Sequence, residues 1–393
     1  MVGIIFLALG YVLSQFYRSF LAVLSPILGE DISISTSQLS LALGAWFVMF
    51  ALSQFPVGYC LDKYGPRRTA SWMLFFGGGG GSIWFALANS GFDIIVAMGL
   101  IGIGCAPVLM ASFYVYGRRF SARNFAFYSS FLVGFGTLGN VMGSVPLALA
   151  IGEFGWRNIA YALAAITACI AIAVFIFLQD PEQLDASDQK GGFLDILKIK
   201  ELWLILPLLT VNYSIPGGIR GLWAGPYLQD VFGASVIEIG SVTLYMAIAL
   251  SLGSFFYGLL DRFFNTRKWI IFIGNFLVLG ALVWLAYLPT TTIIQVTIGF
   301  VVIGFFGSSY ALIVAHGKEF IPKHLLGRGV TLLNFFSIGG VGLFQLLSGA
   351  TVSAYKQETV LESGYIEMFL LYAISLAIML VIYLFSQERK LND

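Results

Sequence analysis

The sequence carries very little charge. Only 10% of its 393 residues are Asp, Glu, Lys or Arg, whereas soluble globular domains contain about 25%. Hydrophobic residues make up 59% of the chain. Because so few charged groups cannot cover a protein of this size, a soluble globular domain is excluded and lipid is the expected outer solvent.

Cysteine and histidine are also scarce. The three cysteines, Cys60, Cys105 and Cys169, lie singly in apolar stretches, and their spacing fits neither a disulfide framework nor a metal site. The net charge of +1 argues against a nucleic-acid-binding protein. No nucleophile is paired with a base. We therefore expect no metal, no cofactor, no nucleic-acid partner and no enzymatic activity.

Long apolar runs are abundant instead. A helix needs about 20 apolar residues to cross a hydrocarbon core of about 30 Å. Twelve such runs are present, near residues 3–28, 39–61, 69–89, 92–116, 125–151, 156–178, 202–229, 236–260, 268–288, 291–315, 328–353 and 364–386. The sequence predicts an all-α membrane protein with twelve transmembrane helices.

The distribution of basic residues predicts the orientation. Of the 21 lysines and arginines, 17 fall in the loops of one side, and such residues accumulate on the cytoplasmic side. Both termini are therefore expected in the cytoplasm of a multi-pass protein of the bacterial inner membrane. One long polar connection, 179–201, divides the chain into an N-terminal six-helix bundle, 1–178, and a C-terminal one, 202–393.

The two halves repeat each other. Five residues of the first half recur 200 positions later: Gly99, Ile103, Gly104, Gly117 and Phe120 return as Gly299, Ile303, Gly304, Gly317 and Phe320. Six spans per half place both copies in the same orientation. Parallel repeats of this kind form two bundles with a central cleft whose access alternates as they rock.

A loop motif follows the second predicted span. It reads Gly58-Tyr-Cys-Leu-Asp62-Lys63-Tyr-Gly65-Pro-Arg67-Arg68, and a degenerate copy in the second half contains Asp261-Arg262. The motif resembles the loop between spans two and three that marks major facilitator superfamily transporters, although Pro66 replaces one basic residue. The resemblance implies the major facilitator fold, with two parallel six-helix bundles. It also implies a gating role for these residues, in which the Asp caps a neighbouring helix end and pairs with an Arg.

Two charged residues fall at bilayer depth within predicted spans. Arg18 lies in span 1 and Arg220 in span 7, and a tyrosine precedes each by seven residues, Tyr11 and Tyr213. A charge at this depth costs about 2.5–3.5 kcal/mol and usually serves function. Gln15 shares the face of Tyr11. Every Asp and Glu lies in a loop or near a span end, so the arginines predict an anion site.

This pattern resembles the organophosphate antiporters and anion:cation symporters of the superfamily, in which arginines of spans 1 and 7 bind the anion. Further candidates for lining the site are Tyr114, Asn140, Asn212, Trp223, Tyr310, Asn334 and Gln345. The alternative for each arginine is that it reaches an interface or bonds backbone carbonyls.

The sequence thus predicts a secondary active transporter of a small organic anion, a carboxylate or a phosphate ester. The expected partners are that anion, the bilayer and either a coupling proton or a counter-anion, with the protein acting as a monomer. One alternative is an exporter of amphipathic drugs or a siderophore. A non-transporting membrane sensor is the weaker alternative, because the predicted tail is short. The five consecutive glycines at 77–81 and the glycines spaced along 134–143 are expected to mark close helix contacts.

Overall fold

The protein is helical throughout the part that the structure describes. The computed structural model describes residues 2–120, 122–181, 193–264, 266–287, 292–322, 326–355 and 362–388. Among these, the side chains of 122–127, 129, 130, 193, 194, 262 and 326–328 are not described. All regular elements in these ranges are α-, 3₁₀- or π-helices. This is the expected result where lipid offers no partner to backbone N–H and C=O groups.

Within the described ranges, twelve transmembrane helices can be assigned in chain order. They are α1 (Val2–Tyr17 continuing as Phe20–Ile32), α2 (36–64), α3 (66–87), α4 (Gly91–Arg119), α5 (Ala122–Met142 continuing as Val145–Phe154), α6 (Trp156–Phe177), α7 (Lys200–Phe232), α8 (Val236–Phe263), α9 (Arg267–Tyr287), α10 (Ile293–Lys318), α11 (Leu326–Tyr355) and α12 (Glu362–Leu384). A short helix, Phe193–Leu197, precedes α7.

The division between α2 and α3 depends on one glycine. Thr36–Leu87 forms a nearly continuous helical run of 52 residues, which would be about 78 Å long and more than twice the hydrocarbon thickness. Gly65 interrupts the helix with φ 81° and ψ 162°. Within the described ranges, nine runs and two bent pairs are long and apolar enough to cross a membrane. Division at Gly65 brings the total to the predicted twelve.

The chain separates into two compact units. One comprises Met1–Asp185 together with Ser235–Leu244, and the other comprises Ala186–Ala234 with Tyr245–Asp393. The first therefore contains α1–α6 and the beginning of α8. The middle of the predicted linker, 182–192, lies outside the described residues.

Glycines bring α3, α4 and α6 into close contact. A Cβ added to Gly77 would lie 2.7 Å from the backbone nitrogen of Gly104, and one added to Gly81 would lie 2.8 Å from Ile101. A Cβ added to Gly104 would clash with the backbone of Gly78. Gly80 alone of the five consecutive glycines has open space around it. The run therefore serves close helix packing, as expected.

We predict that Gly104→Ala destabilises the protein, because backbone cannot move aside as a side chain can. Overpacking of this kind costs about 1–3 kcal/mol. Gly80→Ala is the matched control and should be neutral or slightly stabilising, because alanine is the better helix former. Thermal unfolding of the purified variants in detergent measures both effects. Equal midpoints for the two variants would contradict the packing role.

Candidate functional site

Arg18 lies at a break in α1. The two segments of this helix are bent by 49° around Arg18 and Ser19. Ser19 stabilises the break, since its backbone N–H donates to the carbonyl of Phe16 at 3.0 Å and its hydroxyl donates to the same oxygen at 3.1 Å. The bend thus places a guanidinium within the span, and the Phe16 carbonyl at the break keeps hydrogen-bond partners.

The surroundings of Arg18 are aromatic. The side chain is only 5% exposed, and its guanidinium carbon lies 5.0 Å from the ring centroid of Trp46 and 4.9 Å from that of Phe50. Those two rings stack at 5.0 Å. Within the described part of the chain, its buried Nε forms no hydrogen bond. Cation–π attraction offsets part of the cost of burying the charge, and the hydrogen-bonding capacity of Nε remains unused.

Tyr11 and Gln15 form a bonded pair on α1. The amide of Gln15 donates to the hydroxyl of Tyr11 at 2.6 Å, as their four-residue spacing predicts. A Cβ at Gly136 of α5 would meet the Tyr11 ring, and one at Gly143 would lie 2.7 Å from the Ser19 hydroxyl. The glycines of α5 therefore allow this helix to pack closely against the polar face of α1.

Arg220 also lies where its helix is irregular. Residues Ile219–Trp223 of α7 form a π-helical stretch that begins three residues after Pro216. Proline removes a helical hydrogen bond, and π-helical turns are frequent at functional sites. Arg220 is 3% exposed. Both buried arginines thus lie at local departures from α-helix.

One predicted candidate, Gln345, and one residue outside the predicted set, Tyr372, lie beside this turn. A Cβ on Gly218 would be 2.6 Å from the hydroxyl of Tyr372 and 2.8 Å from Nε2 of Gln345. Tyr372 is fully buried and stacks on Phe344. The apolar pattern of α12 contains no signal that Tyr372 approaches α7, because only the rotation of the packed helix decides which side it faces.

Three predicted residues meet in the second unit. The hydroxyl of Tyr310 donates to Oδ1 of Asn334 at 2.9 Å, and the rings of Tyr213 and Tyr310 are 5.7 Å apart. These side chains come from α7, α10 and α11. The structure thus joins Tyr213, Tyr310 and Asn334 into one polar aromatic cluster.

Three other candidates bond elsewhere. Asn212 donates to Oδ1 of Asn275 at 2.8 Å and to the hydroxyl of Ser309 at 3.0 Å. Trp223 donates to the hydroxyl of Ser348 at 3.0 Å, and both it and Asn212 are fully buried. Tyr114 lies near the end of α4, with the guanidinium of Arg118 4.9 Å from its ring. For Asn212 and Trp223, these contacts are bonds between helices.

The loop motif of the first unit divides into a bound part and an exposed part. The backbone N–H of Arg67 donates to Oδ1 of Asp180 at 2.7 Å, and its Nε donates to the carbonyl of Phe175 at 2.5 Å. Asp62 is exposed and forms no ion pair with any described residue. Lys63 donates to the hydroxyl of Tyr59 at 2.9 Å. Gly58 and Arg68 are exposed.

Asp180 is the residue of this region that the sequence did not single out. Its carboxylate would lie 2.6–2.8 Å from a Cβ on Gly65, so it caps the start of α3 immediately after Pro66. A carboxylate at a helix N-terminus satisfies free N–H groups and complements the helix dipole. The Gly-Pro pair predicts a helix start, but the sequence does not show that its acceptor lies 113 residues further on.

The second unit forms two ion pairs in the corresponding region. Asp261 accepts two bonds from Arg267, at 2.7 and 3.0 Å, and Arg267 also bonds Glu319 at 2.6 Å. Two parallel bonds make the Asp261–Arg267 pair geometrically specific. The side chain of Arg262, the other predicted member of this motif, lies outside the described residues.

In both units, a basic side chain donates hydrogen bonds to the segment that ends or follows the sixth helix. In the first, Arg119 donates to the carbonyl of Gln179 at 2.6 Å. In the second, Lys268 donates to the carbonyls of Leu384 and Ser386 at 2.6 and 2.7 Å. His316 there bridges the hydroxyl of Tyr383 and the carbonyl of Gln387, at 2.8 and 2.9 Å. Basic side chains thus hold both segments, although Arg119 and Lys268 occupy different positions of the repeat.

Twelve spans and a buried guanidinium in each unit define a polytopic transporter. The Major Facilitator Superfamily model matches residues 7–225 and 218–393. The chain therefore belongs to the Major Facilitator Superfamily, and both the fold class and the family predicted from the sequence are confirmed.

Relatives and solved structures agree with this assignment. The hexuronate transporter of Escherichia coli K12 is 24% identical over 311 residues, covering 69% of each chain. The fosmidomycin resistance protein of the same strain is 24% identical over 345 residues, covering 86% of this chain and 83% of its own. A bacterial homologue of the human lysosomal transporter Spinster, inward-facing and unoccupied, has a TM-score of 0.78 at 17% identity, covering 98% of this chain and 96% of that one. The last likeness shows the fold.

We predict that Gly65→Ala destabilises the first unit. Its backbone conformation is accessible essentially only to glycine and costs about 1–3 kcal/mol for other residues, and the added Cβ would also displace Asp180. Gly58→Ala is the matched control, because it lies in the same motif with open space around it. The thermal midpoint should fall for Gly65→Ala only. A fall of similar size in both variants would contradict this explanation.

Proposed function

We propose that the protein moves a small organic anion, a carboxylate or a phosphate ester, across the bacterial inner membrane by alternating access. Arg18 and Arg220 bind the anion. The observation that carries this proposal is the environment of Arg18, a buried guanidinium that contacts two aromatic rings and whose Nε has no hydrogen-bond partner among the described residues.

Electrostatics supports an anionic substrate. A guanidinium cannot lose its charge by deprotonation, so a buried one needs a compensating partner. Where the protein has a structural arginine, as at Arg267, it supplies Asp261 and Glu319. It supplies no acid to Arg18 within the described residues. An anion arriving from solution would provide the missing charge and hydrogen bonds.

The relatives support the same class of substrate. A hexuronate is a sugar carboxylate, and a hexuronate transporter aligns with this chain over 69% of its own length. A carboxylate matches the planar fork of donors that arginine presents. The hydroxyl groups of such a substrate would bond Tyr11 and Gln15 in the first unit and Tyr213, Tyr310 and Asn334 in the second.

The placement of acidic groups bears on which ion is coupled to transport of the anion. Proton symport in this family usually uses a protonatable carboxylate within a span, but every Asp and Glu here lies in a loop or near a span end. We therefore favour exchange against a counter-anion over proton symport. Proteoliposomes loaded with unlabelled anion should accumulate labelled anion without a pH gradient. Uptake that strictly requires a proton gradient would contradict exchange.

The test of the binding residues uses proteoliposomes and labelled hexuronate. We predict that Arg18→Gln and Arg220→Gln each weaken substrate binding about ten- to hundred-fold, because a charge-assisted hydrogen bond contributes about 1.5–3 kcal/mol. Arg157→Gln is the matched control, since that arginine is half exposed and pairs with Asp31. Transport by Arg18→Gln at the wild-type rate would reject the role of Arg18.

A second readout separates binding from folding. Removal of an uncompensated buried charge should leave the thermal midpoint of the ligand-free protein unchanged or raised, while the stabilisation by added hexuronate should disappear in Arg18→Gln. A structural arginine would behave in the opposite way. Its loss would lower the ligand-free midpoint and leave the ligand-induced shift intact.

Drug export is the second candidate. It is favoured by the similarity to a fosmidomycin resistance protein over 86% of this chain. Deletion and overexpression strains tested for resistance to fosmidomycin would distinguish drug export from anion uptake. Increased resistance on overexpression, without hexuronate uptake by the purified protein, would favour export.

A further inference from the structure

An apolar groove opens on the outer surface of the first unit. One wall is formed by Trp72, Phe75 and Phe76 of α3, and the other by Ala171, Ile172 and Phe175 of α6. The groove has a volume of about 220 Å³. Trp72, Phe76 and Ile172 are each about half exposed or more. This surface therefore faces the lipid rather than another helix of its unit.

Two arginines lie at one end of this groove. Arg68 precedes Trp72 by four residues and Phe75 by seven, so all three share one helix face. The Arg67 guanidinium lies 4.6 Å from the ring of Phe175 and is held by the carbonyl of that residue. Arg68 is exposed. The groove therefore ends beside the anchored guanidinium of Arg67, and the exposed Arg68 lies on the helix face that forms one of its walls.

Basic residues outnumber acidic ones among the described residues near this end of the groove. Lys63, Arg67 and Arg68 stand against Asp62 and Asp180, and the Asp180 carboxylate accepts the Arg67 backbone N–H. Basic residues of this loop lie on the side predicted to be cytoplasmic, where anionic lipids attract them. Trp72, one turn deeper, is typical of the aromatic belt at headgroup level.

We propose that this groove binds one acyl chain of an anionic phospholipid, whose headgroup phosphate is bound by Arg68. The apolar walls take the chain, and the exposed guanidinium takes the phosphate through its planar fork of donors. Arg68, a member of the loop motif, thereby acts as a lipid ligand. This site is independent of the transported substrate.

Native mass spectrometry of the purified protein with phosphatidylglycerol and phosphatidylcholine tests the proposal. The wild type should retain phosphatidylglycerol preferentially. Arg68→Gln should weaken its retention about five-fold, since one basic residue contributes about 1 kcal/mol. Ile172→Trp should abolish retention, because the larger side chain fills the groove while Arg68 stays intact. Lys200→Gln, an exposed cation on the same predicted side, should change nothing.

Both test residues are exposed, so the thermal midpoints of the variants should match the wild type. Equal retention by Arg68→Gln and wild type would overturn the proposal, as would equal affinity for the two lipids. Displacement of the lipid by free glycerol phosphate at equal concentration would show that only the phosphate is recognised, and would also overturn it.

Discussion

Within a bilayer, each backbone N–H and C=O must find its partner inside the protein, and most of this structure follows from that constraint. Helices meet it locally, so the described chain contains no other regular element. Every departure from helix then needs its own compensation. At Arg18 the Ser19 hydroxyl and N–H serve a freed carbonyl. At Gly65 the Asp180 carboxylate accepts the N–H of the next helix.

The buried guanidinium groups show how the protein distributes its few charges. Arg267, near a helix end, is neutralised by Asp261 and Glu319. Arg18, at a bend within a span, contacts the faces of Trp46 and Phe50 instead. Aromatic faces attract a cation while leaving its in-plane N–H donors available. The ion pairs of Arg267 neutralise a structural arginine, whereas the aromatic contacts of Arg18 leave its guanidinium able to bind an anion. This difference is the basis of the proposed function.

The spans and the loop motif were predictable because each depends on residues close together in the chain, and the repeat was predictable because it rests on identities rather than on contacts. The superfamily followed from them. The buried arginines were predictable for a related reason, since a charge inside an apolar run is visible without a fold. Tyr372 and Asp180 were not predictable in this way. Tyr372 approaches α7 only because of how α12 is rotated, and Asp180 meets a helix start 113 residues earlier in the chain.

The sequence by itself determined the class of solvent, the number of spans, the positive charge inside them and the family. These follow from transfer free energies summed over short segments, which neighbouring helices barely alter. Only the tertiary structure decided which polar side chains are already bonded. Asn212 is tied to Ser309 and Trp223 to Ser348, whereas Tyr213 and Tyr310 gather in a separate cluster. Each pairing requires two helices at a particular rotation, and helix rotation depends on close packing at glycines, which hydrophobicity does not encode.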